Sequence, residues 1–255
     1  MNFPDLAGRV AVVTGGARGL GYSLASALAR QGASVALLDL LPEVEASAAR
    51  LAEETGVPTA WATVDVTDAA SVDAAFAAVR GALGTADILI TAAGITIWGD
   101  AAEVEPSAWA RVIDINLSGT FYSTQSFARP LIAEGRSGSA ILVSSMSGFI
   151  VNVPQNQASY NASKAAVAHL ATSLAVEWAP AIRVNAIAPG YFLSDMTRQF
   201  TEANPELAAD WVARIPAGRM GEPADLDGLV LLLASDASSY LTGQTLVIDG
   251  GYTAI

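Results

Sequence analysis

Hydrophobic and polar positions follow two alternating rhythms along this chain. Short, nearly continuous apolar runs rich in β-branched residues occur at Arg9–Thr14, Ser34–Asp39, Ala60–Asp65, Asp87–Thr91, Ser139–Ser144, Arg183–Ala188 and Thr245–Ile248. Runs that are apolar at successive positions predict strands buried on both faces, as in a parallel sheet. Longer Ala-rich amphipathic stretches lie between them, near Leu20–Gln31, Pro42–Thr55, Ser71–Leu83, Ser107–Ile132, Ser159–Trp178 and Pro223–Ala234, and predict helices. Pro42 and Pro223 stand where a first helical turn tolerates a missing N–H. Regular strand–helix alternation gives right-handed crossovers, hence an α/β fold with a doubly wound parallel sheet of seven strands and helices on both faces. No linker or fixed-period repeat divides residues 1–255, so one domain is expected. The stretch Tyr191–Gly221, interrupted by Pro205 and Pro216, carries no clean period. It reads as a long loop after Pro189-Gly190 and a candidate substrate lid.

Composition narrows the functional classes. Half of the 255 residues are hydrophobic, enough for one extended core. A net charge of −12 with only 13 Lys and Arg repels a phosphate backbone and argues against nucleic-acid binding. With no Cys and a single His, His169, neither a disulfide framework nor a zinc site of usual composition can be built, and no metal is expected. Met1–Gly8 lacks the features of a signal peptide, and apolar runs such as Leu229–Ala234 are too short to span a bilayer. The expectation is a cytoplasmic protein with no membrane partner.

The first strand runs into Thr14-Gly15-Gly16-Ala17-Arg18-Gly19-Leu20-Gly21, and a helix follows. Glycines there let backbone N–H groups approach a pyrophosphate at a helix N-terminus, the signature of a Rossmann-type dinucleotide site. Asp39 ends the second strand, where a carboxylate accepts the adenosine ribose hydroxyls and repels a 2′-phosphate. Leu40 and Leu41 follow it, with no basic residue beside them. NAD is therefore the expected cofactor. Arg18 is the dissenting residue, read as a solvated or pyrophosphate-contacting group in preference to a 2′-phosphate ligand. Asp65-Val66 ends the third strand near the place of an adenine ring, although Asp65 also suits a helix cap. Ala92-Ala93-Gly94 after the fourth strand supplies small side chains for close passage of the cofactor.

Tyr160-Asn161-Ala162-Ser163-Lys164 puts Tyr and Lys four apart on a predicted helix, hence on one face. Oxidation of an alcohol needs a base near neutral pH, and a free Tyr titrates near ~10, so a shift of about three units or ~4 kcal/mol is required. One ammonium at about 5 Å and an effective dielectric of ~20 supplies on the order of 3 kcal/mol. Lys164 accounts for most of the requirement on that basis. The positive nicotinamide of NAD⁺ supplies the remainder, which favours cofactor binding first.

With these motifs in place, the sequence resembles the short-chain dehydrogenase/reductase family along essentially its whole length, from the Gly loop to Asp249-Gly250-Gly251. The resemblance implies Tyr160 as general acid/base and Lys164 as holder of the nicotinamide ribose. It also implies Asn116 in a proton relay, and Pro189-Gly190 with Phe192 and Ser194 around the nicotinamide carboxamide. It implies a homotetramer too. The sequence departs from the family where Thr91-Ala92-Ala93-Gly94 replaces the usual Asn-Asn-Ala-Gly; which groups stand in for the lost amides is left open. The family Ser commonly lies thirteen residues before the Tyr, selecting Ser147, whereas the strand-end pattern favours Ser145, fifteen before. A two-residue loop insertion reconciles the counts. The segment Ser145–Gln155 resembles a subgroup acting on sugar alcohols and ketoses, and it offers Ser147 and Asn152 as polyol-gripping groups, Asn152 being equally a turn residue. The function expected from this resemblance is interconversion of a polyol and a ketose. The rivals are a 3-oxoacyl-[acyl-carrier-protein] or general carbonyl reductase and, in another class, a non-catalytic NAD sensor.

Overall fold

The computed structural model describes residues 2–255, apart from the side chains of residues 195, 196, 199 and 200. Its centre is β1 (Val10–Thr14), all five residues of which are buried, paired with β2 (Ser34–Asp39) on one side and β4 (Ile88–Thr91) on the other. With β3 (Thr59–Thr63), β5 (Gly138–Val143), β6 (Ile182–Pro189) and β7 (Thr245–Ile248), the sheet runs β3-β2-β1-β4-β5-β6-β7, parallel throughout. The strand order reverses between β1 and β4, and there the carboxyl ends of the strands open a crevice. The continuous apolar pattern weakens only at the two edges, where Trp61 of β3 and Val247 of β7 face outward. An edge strand covers fewer of its side chains.

One face of the sheet carries α1 (Gly19–Ala29), α2 (Val44–Thr55) and α9 (Asp227–Ala234), packed through Leu24, Leu28, Leu51, Val230 and Leu233. The other carries α3 (Ala69–Leu83), α5 (Gly119–Glu134) and α6 (Ala158–Trp178), packed through Phe76, Phe127, Leu131 and Val167. The apolar run Leu229–Leu233 therefore serves mainly the core.

Three local expectations change. The helix expected over Ser107–Ile132 is α4 (Pro106–Ile113), a π turn over Asp114–Ser118, and α5. The wider turn accompanies Asn116, whose amide is drawn across to Ile95. The third strand stops at Thr63 instead of Asp65, because the chain turns into α3. That helix is capped by Asp68, which accepts from the Ala70 N–H, and not by Asp65. Third, the supposed loop after Tyr191 contains two helices, α7 (Asp195–Ala203) and α8 (Pro205–Ala213). The signal for α8 was present in Asn204-Pro205-Glu206: a polar flank, a Pro at the first position and an acid in the first turn. Among the described residues no helix is long and apolar enough to cross a membrane.

Candidate active site

The crevice is built first by backbone. Gly15 has φ +67°, and a Cβ there would lie 2.7 Å from the Ala93 nitrogen; a Cβ on Gly21 would lie 2.0 Å from the Gly15 carbonyl oxygen. Neither position accepts a side chain. The loop thus folds flat against the Ala92-Ala93 turn, which is tied to β1 by Ala92 N–H donating to Thr14 O (3.1 Å) and Ala93 N–H donating to Thr14 Oγ1 (3.4 Å). These bonds stand where side-chain amides of the usual family turn are missing. Thr91 Oγ1 is buried without a hydrogen-bond partner among the described residues. A buried unmade hydrogen bond costs about 1–3 kcal/mol, so Thr91→Val is expected to stabilise the protein by roughly 1 kcal/mol in urea denaturation. A lower midpoint in the variant would show that the hydroxyl has a partner.

No side chain caps α1 at its N-terminus, so the first N–H groups, those of Gly19 and Leu20, remain for an anion. Asp39 lies across the loop: Oδ2 accepts from Ala17 N–H and Oδ1 from Leu41 N–H, each at 3.0 Å. A carboxylate has about four acceptor positions, so two remain. Arg18 is exposed and has no partner among the described residues. A cavity of about 550 Å³ lies between Arg18, Gly19, Tyr22, Leu41, Leu193 and Ser194, joining the Gly loop to the root of the α7 segment. Asp65 is exposed and accepts from Thr67 N–H and Thr67 Oγ1, bonds that hold its carboxyl below the usual range. Val66 is turned inward against Gly119.

The catalytic candidates meet at the end of β5 and the start of α6. Ser145 Oγ accepts from Ser147 N–H at 3.1 Å and faces the Tyr160 hydroxyl. Ser145, and not Ser147, is therefore the serine at the tyrosine. Lys164 is buried; its Nζ donates to Val143 O at 2.8 Å and lies 5.7 Å from the centre of the Tyr160 ring. Gly94 lies against both Lys164 Nζ and Asn116 Oδ1. Asn116 is fully engaged: Oδ1 accepts from Ile95 N–H (2.9 Å), and Nδ2 donates to Ile95 O (2.9 Å) and Ser163 Oγ (3.0 Å).

The electrostatics correct one expectation. Burial pushes the Tyr160 hydroxyl up from its ordinary value, and the Ser145 hydrogen bond only partly opposes it. Burial also brings Lys164 down to about 8. The ammonium was expected to supply most of a downward shift; in the protein alone desolvation of the phenolate dominates, and a lysine brought down to about 8 is no longer an ammonium at the higher pH where this phenol ionises. A lysine held near 8 costs about 3 kcal/mol of stability wherever the folded and unfolded forms are both charged. That cost is full below pH ~8 and fades as pH rises towards the unfolded value of about 10.5.

Other candidates fall into different surroundings. Ser147 and Asn152 are buried and bonded to each other, Ser147 Oγ donating to Asn152 Oδ1. Sequence reasoning missed the groups that complete their cluster: Tyr191, Gln155 and Gln157. Phe192 turns its ring into the core against Gly221, so its backbone alone faces the crevice. Ser194 Oγ accepts from Thr197 N–H at the start of α7, and its Cβ lies near Gly19. Gly190, after Pro189, packs against Asp249, whose two oxygens accept from Gly251 and Thr253 N–H. His169 is exposed on α6.

A family model described as enoyl-(acyl carrier protein) reductase matches residues 15–253. D-arabinitol 2-dehydrogenase [ribulose-forming] of Scheffersomyces stipitis is 46% identical, with 97% of this chain and 94% of the relative covered. Galactitol 2-dehydrogenase (L-tagatose-forming) of Cereibacter sphaeroides is 43% identical, covering 97% of this chain and 96% of the relative. The structure of a gluconate 5-dehydrogenase from Burkholderia cenocepacia, in complex with NADP and tartrate, superposes with a TM-score of 0.92 at 35% identity over 100% of this chain and 98% of that one. The chain belongs to the short-chain dehydrogenase/reductase family. In this family a nicotinamide cofactor is used. The site fits one: Gly15 and Gly21 let the loop lie flat on the Ala92-Ala93 turn, and among the described residues no side chain caps the N-terminus of α1 and Lys164 has a single acceptor, Val143 O, for its three N–H bonds.

Proposed function

We propose that the enzyme interconverts a secondary hydroxyl of a sugar alcohol and the corresponding ketose, with NAD as cofactor and Tyr160 as general acid/base. The observation that carries this reading is the convergence of Ser145 and Tyr160 beside the buried Lys164, at the mouth of a crevice that fits a dinucleotide. Bound NAD⁺ supplies the hydride acceptor. Gly19, Leu20 and Asp39 would hold its adenosine and pyrophosphate end, and Lys164, with N–H groups to spare, would hold the nicotinamide ribose. In oxidation the Tyr160 oxygen takes the hydroxyl proton of the substrate while Ser145 fixes the same oxygen. In reduction Tyr160 returns the proton. Positive charge next to Tyr160 is required before the phenolate forms near neutral pH, because burial alone acts against it. Cofactor binding first follows from that.

The polyol reading draws on two supports. The relatives named for D-arabinitol and galactitol are 46% and 43% identical, and the loop between β5 and α6 carries a buried cluster of amides and hydroxyls, Ser147, Asn152, Gln155 and Gln157, next to Ser145. An NADP-bound family member makes the cofactor a matter for measurement. Initial rates of NAD⁺ and NADP⁺ reduction with pentitols, hexitols and 2-propanol test both points. Faster turnover of a polyol with NAD⁺ is expected. Activity confined to simple alcohols or to an acyl-ketone substrate would reject the polyol assignment, and a clear preference for NADP⁺ would reject the cofactor. A homotetramer completes the proposal, tested by light scattering.

A further inference from the structure

Tyr191 is a buried titratable group that the chemistry above does not use. It follows Gly190 at the end of β6, and its hydroxyl accepts from Asn152 Nδ2 at 3.1 Å and donates to Gln155 Oε1 at 2.8 Å. The ring is stacked on Trp211 of α8, with centroids 4.3 Å apart and planes at 11°, and meets Tyr252 edge-on at 5.4 Å. With Met146, Ile215 and Met220 these aromatics form a small core of their own, separate from the two faces of the sheet. Tyr191 thus joins two elements, the β5–α6 loop and α8.

From Tyr191 the hydrogen bonds lead back to the reaction centre. Asn152 Oδ1 accepts from Ser147, Ser147 N–H donates to Ser145 Oγ, and Ser145 faces Tyr160. Gln157 Nε2 reaches Asn152 Oδ1, Ser147 Oγ and Asn161 Oδ1 at 3.4, 3.5 and 3.1 Å, tying the cluster to the first turn of α6. Every polar atom in that path is fixed by a neighbour, and the orientation of the Asn152 amide is fixed by the Tyr191 hydroxyl. A buried amide that loses such a partner turns to find another.

We infer that Tyr191 is a positioning residue for substrate specificity: docked against Trp211 of α8, it holds Asn152 and, through it, Ser147 in the arrangement that accepts the additional hydroxyls of a polyol. The inference rests on the polyol reading above. Removing the hydroxyl while keeping the ring separates this role from packing, because Tyr191→Phe retains the stack on Trp211. Burial holds the Tyr191 hydroxyl near 12, so it remains protonated across the working range and the effect is independent of pH there.

The test compares wild type, Tyr191→Phe and Gln155→Met with the best pentitol or hexitol and with 2-propanol, alongside the urea midpoint of each protein. The expected result is a KM for the polyol raised about tenfold in Tyr191→Phe, kcat within about twofold, and kinetics with 2-propanol unchanged. Gln155→Met, which removes only the far acceptor, is expected to shift the same KM in the same direction by a smaller factor. Equal losses with both alcohols, a fall in kcat at constant KM, or no change would overturn the inference. If Tyr191→Phe is unfolded, Gln155→Met decides by the same criteria. A wild type that turns over the polyol while the variants match it rejects the inference alone; a wild type active only on 2-propanol rejects the polyol reading and the inference together.

Discussion

Replacing Tyr160 by Phe is expected to lower kcat by about 10²–10⁴-fold in both directions, the range that a positioned general acid/base contributes. The substitution removes one oxygen and leaves its surroundings in place. Ser145 Oγ still accepts from Ser147 N–H, and Lys164 still donates to Val143 O. The urea midpoint and the dissociation constant for NADH, read by fluorescence, are therefore expected to hold. This combination distinguishes an enzyme from a cofactor-sensing protein, in which loss of the phenol would leave the output untouched. Retention of more than a tenth of the turnover would show that another group moves the proton. Burial of Tyr160 adds a second signature. The hydroxyl starts above its ordinary value, so alcohol oxidation by the wild type should rise with pH, and that limb should vanish in the variant.

Asp39→Asn is expected to change the ratio of kcat/KM for NAD⁺ over NADP⁺ by about 100-fold in favour of NADP⁺. A carboxylate about 6 Å from a 2′-phosphate carrying nearly two charges is opposed by roughly 5 kcal/mol at an effective dielectric of ~20. Partial exposure at the rim of the crevice and salt reduce this to about half, or two decades in ratio. The isolated cation in the loop, Arg18, is exposed and gains little against that field. Asn is chosen because Asp39 also accepts from Ala17 and Leu41 N–H, and the amide keeps one acceptor for this pair. Part of the fall with NAD⁺ will come from a looser Gly loop, which the urea midpoint separates from the electrostatic part. An unchanged ratio would remove Asp39 as the determinant of cofactor choice.

Asp39 also marks how far sequence reasoning reaches. Its place at the end of a strand, twenty positions after Gly19, was enough to single it out as a candidate for cofactor discrimination. That it braces the Gly loop through Ala17 N–H was hidden, because this bond depends on how β1 and β2 lie side by side. The Thr91-Ala92-Ala93-Gly94 turn shows the same division. The departure from the family pattern was legible, while its replacement by contacts from Thr14 needed the register of β1 against β4.

The sequence by itself determined the alternation of strands and helices, the single parallel sheet, the dinucleotide loop, and the pairing of Tyr160 with Lys164. All of these follow from local periods or from spacings of a few residues, which the backbone converts directly into faces and turns. Tertiary structure decided the upward displacement of Tyr160 and the cluster joining Asn152, Gln155 and Gln157 to Tyr191 and Trp211. Those features arise from desolvation and from contacts such as the one between residues 152 and 191, 39 positions apart. Neither burial nor long-range contact has a period in the chain, so only the folded arrangement of β5, β6 and α8 creates them.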